Sequence, residues 1–274
     1  MVIAAEKAVG FAVMSGDRQI EVETRNGLAW AHLAGFTPAK EVLIILDEQA
    51  EKNPDSPALE GFLLMVKSFV EALLGDFDAA RRHVERGIQI LDELGLQHTA
   101  AMARGVFGWI ETIAGDHEEA CRRFNDARQG LEDSGDTAYL STFMYQLGES
   151  LCELGRYDEA ASAALYSRDI TTPNDVLSLA GWRLVLARTL IERGEKRAGH
   201  KFLAEAEDII RKMEGFTRAW LGLQAASVHM AAGGFAKAQE WLAEAREDCV
   251  RKGATALVAT VDEKMALLQR SQFS

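Results

Sequence analysis

Cysteine, proline and aromatic residues are scarce in this sequence of 274 residues, and each scarcity excludes a class of protein. The three cysteines, Cys121, Cys152 and Cys249, are odd in number and far apart, which argues against a disulfide-stabilised secreted domain and fits a reducing cytoplasm. With 4 prolines and 8% aromatic residues, the chain resembles neither a proline-rich disordered protein nor a collagen.

Long hydrophobic runs are also missing. No stretch of about 18 apolar residues is present, so the sequence predicts no membrane-spanning helix. Residues 1–16 are largely apolar, but they contain Glu6 and Lys7 and lack a basic start, which argues against a signal peptide. We therefore predict a soluble protein of the cytoplasm.

Positive charge is in deficit. Thirty Lys and Arg residues stand against 42 Asp and Glu residues, which gives a formal net charge of −12. Such a surface repels phosphate backbones, so we predict no nucleic-acid partner for this chain alone. The apolar fraction of 48% is that of a globular protein, and the length allows one large domain or two ordinary ones.

Motifs that carry chemistry are absent from the sequence. GxGxxG, GxxxxGK[ST], HExxH, paired CxxC and GxSxG do not occur, so we predict no catalytic site and no cofactor. His117 and Cys121 have the spacing of two ligands on one helix face, but no second pair lies nearby in sequence. We interpret them as a polar helix start and a buried small residue, and we predict no metal site. An all-α hydrolase would need converging carboxylates, for which Glu149, Glu153 and Glu192 are the only candidates.

Glycine recurs along the chain with a nearly constant period. The spacings are 40, 40, 40, 39 and 39 residues between Gly35, Gly75, Gly115, Gly155, Gly194 and Gly233. Five residues after each glycine the side chain is small except at Lys40, and seven residues before it is small except at Leu28. A fixed period of this length is typical of a repeat solenoid.

Helix packing explains the pattern. Each unit is predicted to be a helix, a short turn and a second helix, in which small residues let the two backbones approach closely. Each glycine ends the first helix in the left-handed region, and Asp78 or Asp158 is expected to cap the next. The position nine residues after each glycine fills the groove between the helices with Ile44, Val84, Phe124, Ala164, Leu203 or Leu242.

The prolines fit this helix map. Thr37–Pro38 and Ser56–Pro57 each read as an N-cap followed by proline at the first helical position. Pro54 and Pro173 fall in the expected loops between units, so none interrupts a helix.

The repeats resemble tetratricopeptide repeats (TPRs) lengthened from 34 to about 40 residues, with "GRYDEA" at 155–160 the nearest match. We predict an all-α fold, a right-handed α-solenoid of TPR-like helix-turn-helix repeats. Its expected parts are the second helix of a truncated repeat at 1–16, six repeats at about 17–54, 55–95, 96–135, 136–174, 175–214 and 215–252, and a capping helix at 253–274.

A narrower resemblance covers nearly the whole chain. "GFTPAKEVLIILDEQ", "LLGDFDAARRHVERGIQILDELGL", "YLSTFMYQLGESLCELGRYDEA", "PNDVLSLAGWRLVLARTLIERGE" and "GGFAKAQEWLAEAREDCVRKG" resemble the C-terminal TPR region of bacterial multidomain regulators. In those proteins an adenylate/guanylate cyclase domain and an AAA (STAND-type) ATPase domain precede the repeats. The resemblance implies a non-catalytic, sensory or protein-interaction module.

The resemblance also implies a partner. The expected partner is a protein or peptide, including the ATPase and cyclase domains of the same polypeptide, because the first unit reads as half a repeat. The alternative is a free-standing cytoplasmic TPR adaptor or peptide receptor. The oligomeric state stays open, since a second copy could cover an uncapped end.

In TPR solenoids the first helix of each unit lines the concave face, where partners bind. Transferred to this chain, that rule predicts a binding groove formed by Phe69, Trp109, Thr142, Tyr145, Trp182, Arg183, Arg188 and Trp220. Aromatic residues beside arginine are typical of binding hot spots, because they bury much area and can hold a carboxylate through two hydrogen bonds. Any one tryptophan could instead belong to the core between repeats.

Overall fold

The computed structural model describes residues 2–271 and is built from helices. Fourteen α-helices occupy this part of the chain. Their bounds are α1 Val2–Ser15, α2 Arg18–Ala34, α3 Ala39–Glu51, α4 Pro57–Leu74, α5 Phe77–Glu93, α6 Gln97–Ala114, α7 His117–Ser134, α8 Thr137–Glu153, α9 Tyr157–Ile170, α10 Val176–Glu192, α11 Lys196–Ile210, α12 Phe216–Ala232, α13 Phe235–Lys252 and α14 Thr255–Ser271.

Aspartate side chains cap many of the helices, but the capping residues do not include Asp78 and Asp158, which the sequence predicts. The side chain of Asp76 accepts a hydrogen bond from Ala79 N at the start of α5, and Asp116 caps α7 in the same way. Asp78 and Asp158 lie inside the first turns of α5 and α9 and cap neither helix. The predicted caps are wrong by two residues, because each helix begins one residue after the turn aspartate or arginine. In the first turns of these helices the carboxylates of Asp78 and Asp158 still interact favourably with the helix dipole.

Glycine ends the first helix of most units as predicted. Gly75, Gly115, Gly155, Gly194 and Gly233 have φ between 71° and 87°, a region that side chains with a Cβ rarely adopt. Gly35 is the exception, because its φ is −83°. The prediction of a left-handed stop is therefore wrong for the first unit.

The prolines lie at helix starts and in turns as predicted, with one correction. Pro57 is the first residue of α4 after Ser56, although the Ser56 side chain makes no capping hydrogen bond. Pro38 precedes α3 as its N-cap residue, so Thr37 does not cap that helix. Pro54 and Pro173 lie in turns, as expected.

Small residues allow the close approach of paired helices. A Cβ at Gly108 of α6 would stand 2.5 Å from the Phe124 ring of α7, and one at Gly199 of α11 would stand 2.9 Å from Ala187 O of α10. Phe124 itself is fully buried, as its position nine residues after the glycine predicts. Ile44, at the same position of the first unit, is 60% exposed, so the predicted groove-filling role is wrong there.

The helices are arranged as a curved stack that returns towards its own start. Each of α4, α6, α8, α10 and α12 packs against the helix that follows it, and the same helices also contact one another in succession. That arrangement places these five helices, with α2, on the inner side of the curve. At the closure, α12 also contacts α2, and α14 contacts α4.

No helix between residues 2 and 271 is long and apolar enough to cross a bilayer.

Candidate ligand cavity

A cavity of about 670 Å³ lies on the inner side of the curve. Its wall comes from α1 and α2 on one side, from α4, α6 and α8 in the middle, and from α10 and α12 on the other. A volume of this size is typical of sites that bind drug-sized ligands. The curvature of the solenoid therefore brings residues from both ends of the chain around one space.

Five of the residues expected to form a groove line this cavity. They are Phe69 of α4, Trp109 of α6, Thr142 and Tyr145 of α8, and Trp220 of α12. Tyr145 is fully buried and burial raises its pKa well above the ordinary value, so the phenol stays neutral. The structure brings these five side chains together from four helices, α4, α6, α8 and α12.

The aromatic rings of the wall contact one another. The ring centroids of Phe69 and Trp109 lie 5.4 Å apart, and those of Phe69 and Trp220 lie 6.3 Å apart. Trp30 of α2 meets Trp109 edge to face at 6.3 Å. Such contacts contribute roughly 0.5–1.5 kcal/mol each beyond the burial of area, so the wall is held in place before any ligand arrives.

Trp182 and Arg183 lie elsewhere. Trp182 is buried and packs edge to face on Phe202 of α11, with 6.0 Å between ring centroids. The guanidinium of Arg183 stands 4.0 Å over the Trp182 ring and donates hydrogen bonds to Leu179 O and Glu205. The pair therefore faces the second helix of its own unit and does not line the cavity.

Arg188 also lies outside the cavity. It donates a 2.7 Å hydrogen bond to Glu153 of α8, and the two side chains are 17% and 27% exposed. Partial burial opposes the charge of Glu153, but Arg188 together with Lys264 holds the pKa of this carboxyl below its usual value. Arg188 thus neutralises a carboxylate between α8 and α10.

A polar cluster lies behind the aromatic wall. With the Gln146 amide oriented to satisfy its neighbours, its oxygen accepts from Trp220 Nε1 and from the Tyr145 hydroxyl, each at 3.0 Å. Its nitrogen then donates to Glu149 at 3.0 Å, and Gln224 donates to the same carboxyl oxygen. Burial, followed by the nearby Glu153, raises the pKa of Glu149 to about 8.

The carboxylates considered for hydrolysis do not converge on the cavity. Glu149 lies beside Gln146 behind the wall, Glu153 pairs with Arg188, and Glu192 at the end of α10 is exposed. Among the described residues that line the cavity, none is charged and none is histidine or cysteine.

His117 and Cys121, which have the spacing of two metal ligands, do not line the cavity either. His117 and Cys121 lie on α7, where burial lowers the pKa of the imidazole and raises that of the thiol to about 11. Between residues 2 and 271, no three His, Cys, Asp or Glu side chains gather as a metal site would require. All three cysteines are free and buried.

Sequence reasoning missed several residues of the wall. Trp30 belongs to the first unit, whose register departs from the other repeats, and Ala5 and Ala8 belong to α1. Gln146 could have been found, because it is a polar residue inside the apolar run "TFMYQLG" of a predicted first helix. Gly27 of α2 also lines the cavity.

No protein-family model matches the chain, and no curated protein matches it by sequence. Solved structures do match its fold. The apo form of the quorum sensor NprR from B. thuringiensis superposes with a TM-score of 0.58 at 12% identity, over 99% of this chain and 80% of that one. NprR in complex with its cognate peptide NprX gives a TM-score of 0.55 at 13% identity, over 100% and 74%.

Two further proteins share the fold. The Rap protein complexed with Competence and Sporulation Factor gives a TM-score of 0.57 at 13% identity, over 92% of this chain and 74% of that one. BtubC from P. vanneervenii gives 0.54 at 14% identity, over 76% and 87%. Likenesses at this level of identity concern the fold, and the predicted all-α, TPR-like solenoid is confirmed.

Proposed function

We propose that this chain is a non-catalytic regulatory module that binds a peptide in its inner cavity. The observation that carries the proposal is the aromatic-lined cavity on the inner side of the solenoid. The fold shared with NprR bound to its cognate peptide supports a peptide as the ligand. The absence of Asp, Glu, His, Cys, Lys and Arg among the described lining residues supports binding in preference to catalysis.

Regulation would follow from the position of the cavity between the two ends of the solenoid. A ligand there contacts Trp30 of α2 and Trp220 of α12 at the same time. Its binding free energy therefore stabilises the arrangement in which α2 and α12 lie close together. Any partner that prefers the same arrangement would bind more tightly when the peptide is present, which is a coupling between two sites.

The sequence resemblance supports a place for this module in a larger bacterial regulator of the cyclase and ATPase type. Ile3, Phe11 and Met14 of α1 are 70–84% exposed, and apolar residues clustered in this way favour a further protein surface over α1. A free-standing adaptor is the alternative. The three free cysteines support the cytoplasm as the compartment.

Binding of a peptide library to the purified chain tests the proposal. Gly27→Leu is the blocking variant, because Gly27 lines the cavity. A Cβ at this position meets no described atom within 4 Å outside its own helix backbone, so the leucine extends into the cavity without a clash. Gly10→Leu is the matched control, since Gly10 is an equally unobstructed helical glycine that does not line the cavity. Both changes favour the helix by a few tenths to about 1 kcal/mol.

We expect the wild type and Gly10→Leu to select the same peptides, and Gly27→Leu to bind them at least about 10-fold more weakly. Isothermal titration calorimetry of the selected peptides gives the affinities. Peptides that bind all three proteins equally would place the site outside the cavity, and a library without binders would contradict peptide binding.

A further inference from the structure

The chemistry of the cavity wall restricts what can enter it. The lining consists of aromatic and aliphatic side chains together with glycine, three threonines and the amide of Gln146. A charged group moved from water into such a wall loses its hydration and meets no described counter-charge there. Water in the cavity finds few polar partners, so an apolar group that displaces it gains affinity.

The indole N–H groups of the wall also favour a neutral ligand. The indole N–H groups of Trp30 and Trp109 are buried and have no hydrogen-bond partner among the described residues. The indole N–H of Trp220 differs, because Gln146 accepts from it. Unpartnered buried donors are uncommon in proteins. Both nitrogen atoms are closed to solvent, so they add no exposed polar group to the wall, and no described cation lines the cavity to balance a charged ligand.

The carboxyl groups of Glu149 and Glu153 do not give the wall a charge. Burial raises the pKa of Glu149 to about 8, so this carboxyl is largely protonated at neutral pH, and Arg188 neutralises Glu153. The formal net charge of −12 on the whole chain disfavours an anionic ligand. A cationic ligand would need a carboxylate within contact distance, but Glu149 is already held by Gln146 and Gln224, and Glu153 by Arg188.

We propose that the ligand group held in the cavity is neutral and apolar: a hydrophobic peptide segment without Lys, Arg, Asp or Glu, anchored on the indoles of Trp30, Trp109 and Trp220. The identification of the ligand as a peptide rests on the proposed function. Its neutral, apolar character is inferred from the cavity wall alone. A polar, charged signalling peptide would not fit this wall.

Two probes of the same shape and different charge test the proposal. N-phenyl-1-naphthylamine is neutral, and 1-anilinonaphthalene-8-sulfonate is the same ring system with one sulfonate. Each is titrated into the intact chain, and energy transfer from tryptophan to the probe reports binding, since three of the five tryptophans lie in the cavity wall. The titrations are repeated with Gly27→Leu and Gly10→Leu, and with Ala8→Leu as a second blocking variant if circular dichroism shows that Gly27→Leu does not fold.

We expect the neutral probe to bind with one site per chain and at least about 10-fold more tightly than the sulfonate. Its affinity should be unchanged between about 0.05 and 0.5 M NaCl, because no charge is screened. Gly27→Leu should reduce binding at least about 10-fold, while Gly10→Leu should not change it. Equal or tighter binding of the sulfonate overturns the proposal, and so does binding that both blocking variants leave intact.

Competition by peptides separates this inference from the proposed function. A neutral hydrophobic peptide that displaces the naphthylamine supports both. If the probe binds as expected but no peptide of a library displaces it, peptide binding is overturned while the neutral chemistry of the cavity is upheld. If a charged peptide binds and is blocked by Gly27→Leu, the proposed function is upheld and the inference is overturned.

Discussion

Two glycines leave room for the rings of α8, one on each side of that helix. A Cβ at Gly105 of α6 would stand 2.1 Å from the ring of Phe143, and a Cβ at Gly181 of α10 would stand 2.4 Å from the ring of Tyr145. Neither ring is able to shift freely, because both side chains are fully buried. The position of Tyr145 in the cavity wall thus depends on a missing methyl group in the neighbouring unit.

Gly181→Ala should therefore destabilise the chain. We expect the free energy of unfolding to fall by roughly 1–3 kcal/mol, since the added methyl forces the Tyr145 ring or the two helices apart. Gly10→Ala is the control, because its Cβ meets no described atom within 4 Å and should be neutral or stabilising by up to about 1 kcal/mol. Urea unfolding followed by circular dichroism measures both, and equal stabilities would contradict the close packing.

Sequence reasoning identifies these residues only in part. The recurrence of small residues on first helices locates Gly108 and Gly148, since helix contact needs them in every unit. The sequence predicts Trp182 and Arg183 in the groove because they lie on a first helix, yet they pack on α11. The period tells which helix a residue belongs to. It does not tell which side of that helix faces the interior of the curve.

Helix α1 is the least firmly packed element of the cavity wall. Its main packing partner is α2, and Ala12 is its only buried residue in the described chain. Ile3, Phe11 and Met14 are exposed, while Ala5 and Ala8 face the cavity. An element with so little buried apolar area is expected to open locally at a small cost in free energy.

Hydrogen exchange should show this difference. We expect the amides of α1 to exchange at least about 100-fold faster than those of α6, and to slow down when N-phenyl-1-naphthylamine occupies the cavity, because Ala5 and Ala8 contact that space. Mass spectrometry of peptic fragments with and without the probe measures both effects. Protection of α1 equal to that of α6, or no response to the probe, would show that α1 is not a weakly held part of the wall.

In the first unit, the buried face of α3 differs from the face that the glycine period predicts. In α3 the buried residues are Ala39, Val42, Leu46 and Gln49, whereas Ile44 points to solvent. The helix starts only after Pro38, since proline fixes the backbone before it, and Gly35 does not adopt the left-handed stop of the other units. Spacing counted from Gly35 therefore selects the wrong face of α3, although the helix itself is predicted.

At the scale of the whole molecule, one lysine joins the two ends of the curve. Lys252, the last residue of α13, is completely buried, and its ammonium group donates hydrogen bonds to His32 O at 2.8 Å and to Gly35 O at 2.9 Å. These carbonyls end α2, where the helix dipole favours a positive charge. Close by, Thr255 donates a hydrogen bond to Leu74 O. No sequence period predicts contacts between residues about 220 apart, so the closure could be found only from the structure.

The buried charge should make the stability depend on pH. Burial lowers the pKa of Lys252 to about 8, below the 10.5 of an exposed lysine. Between these values the unfolded chain binds the proton that the folded chain has released, so the free energy of unfolding rises with pH. The contribution is up to about 3 kcal/mol, because each unit of pKa shift corresponds to about 1.4 kcal/mol. Cys121, Cys152 and Cys249 act in the opposite direction above about pH 9, since burial raises their pKa values.

Comparison with Lys252→Met isolates the lysine, because the cysteines are the same in both proteins. We expect the difference in unfolding free energy, wild type minus variant, to increase steadily from pH 8 to about pH 10.5 and to be flat between pH 6 and 7.5. Lys237→Met is the control, since Lys237 is exposed on α13 and pairs only with Glu240 in the described chain. Its difference curve should stay flat throughout. A flat curve for Lys252→Met would mean that the ammonium group is as well solvated as a surface lysine, and that packing alone holds α2 against the end of α13.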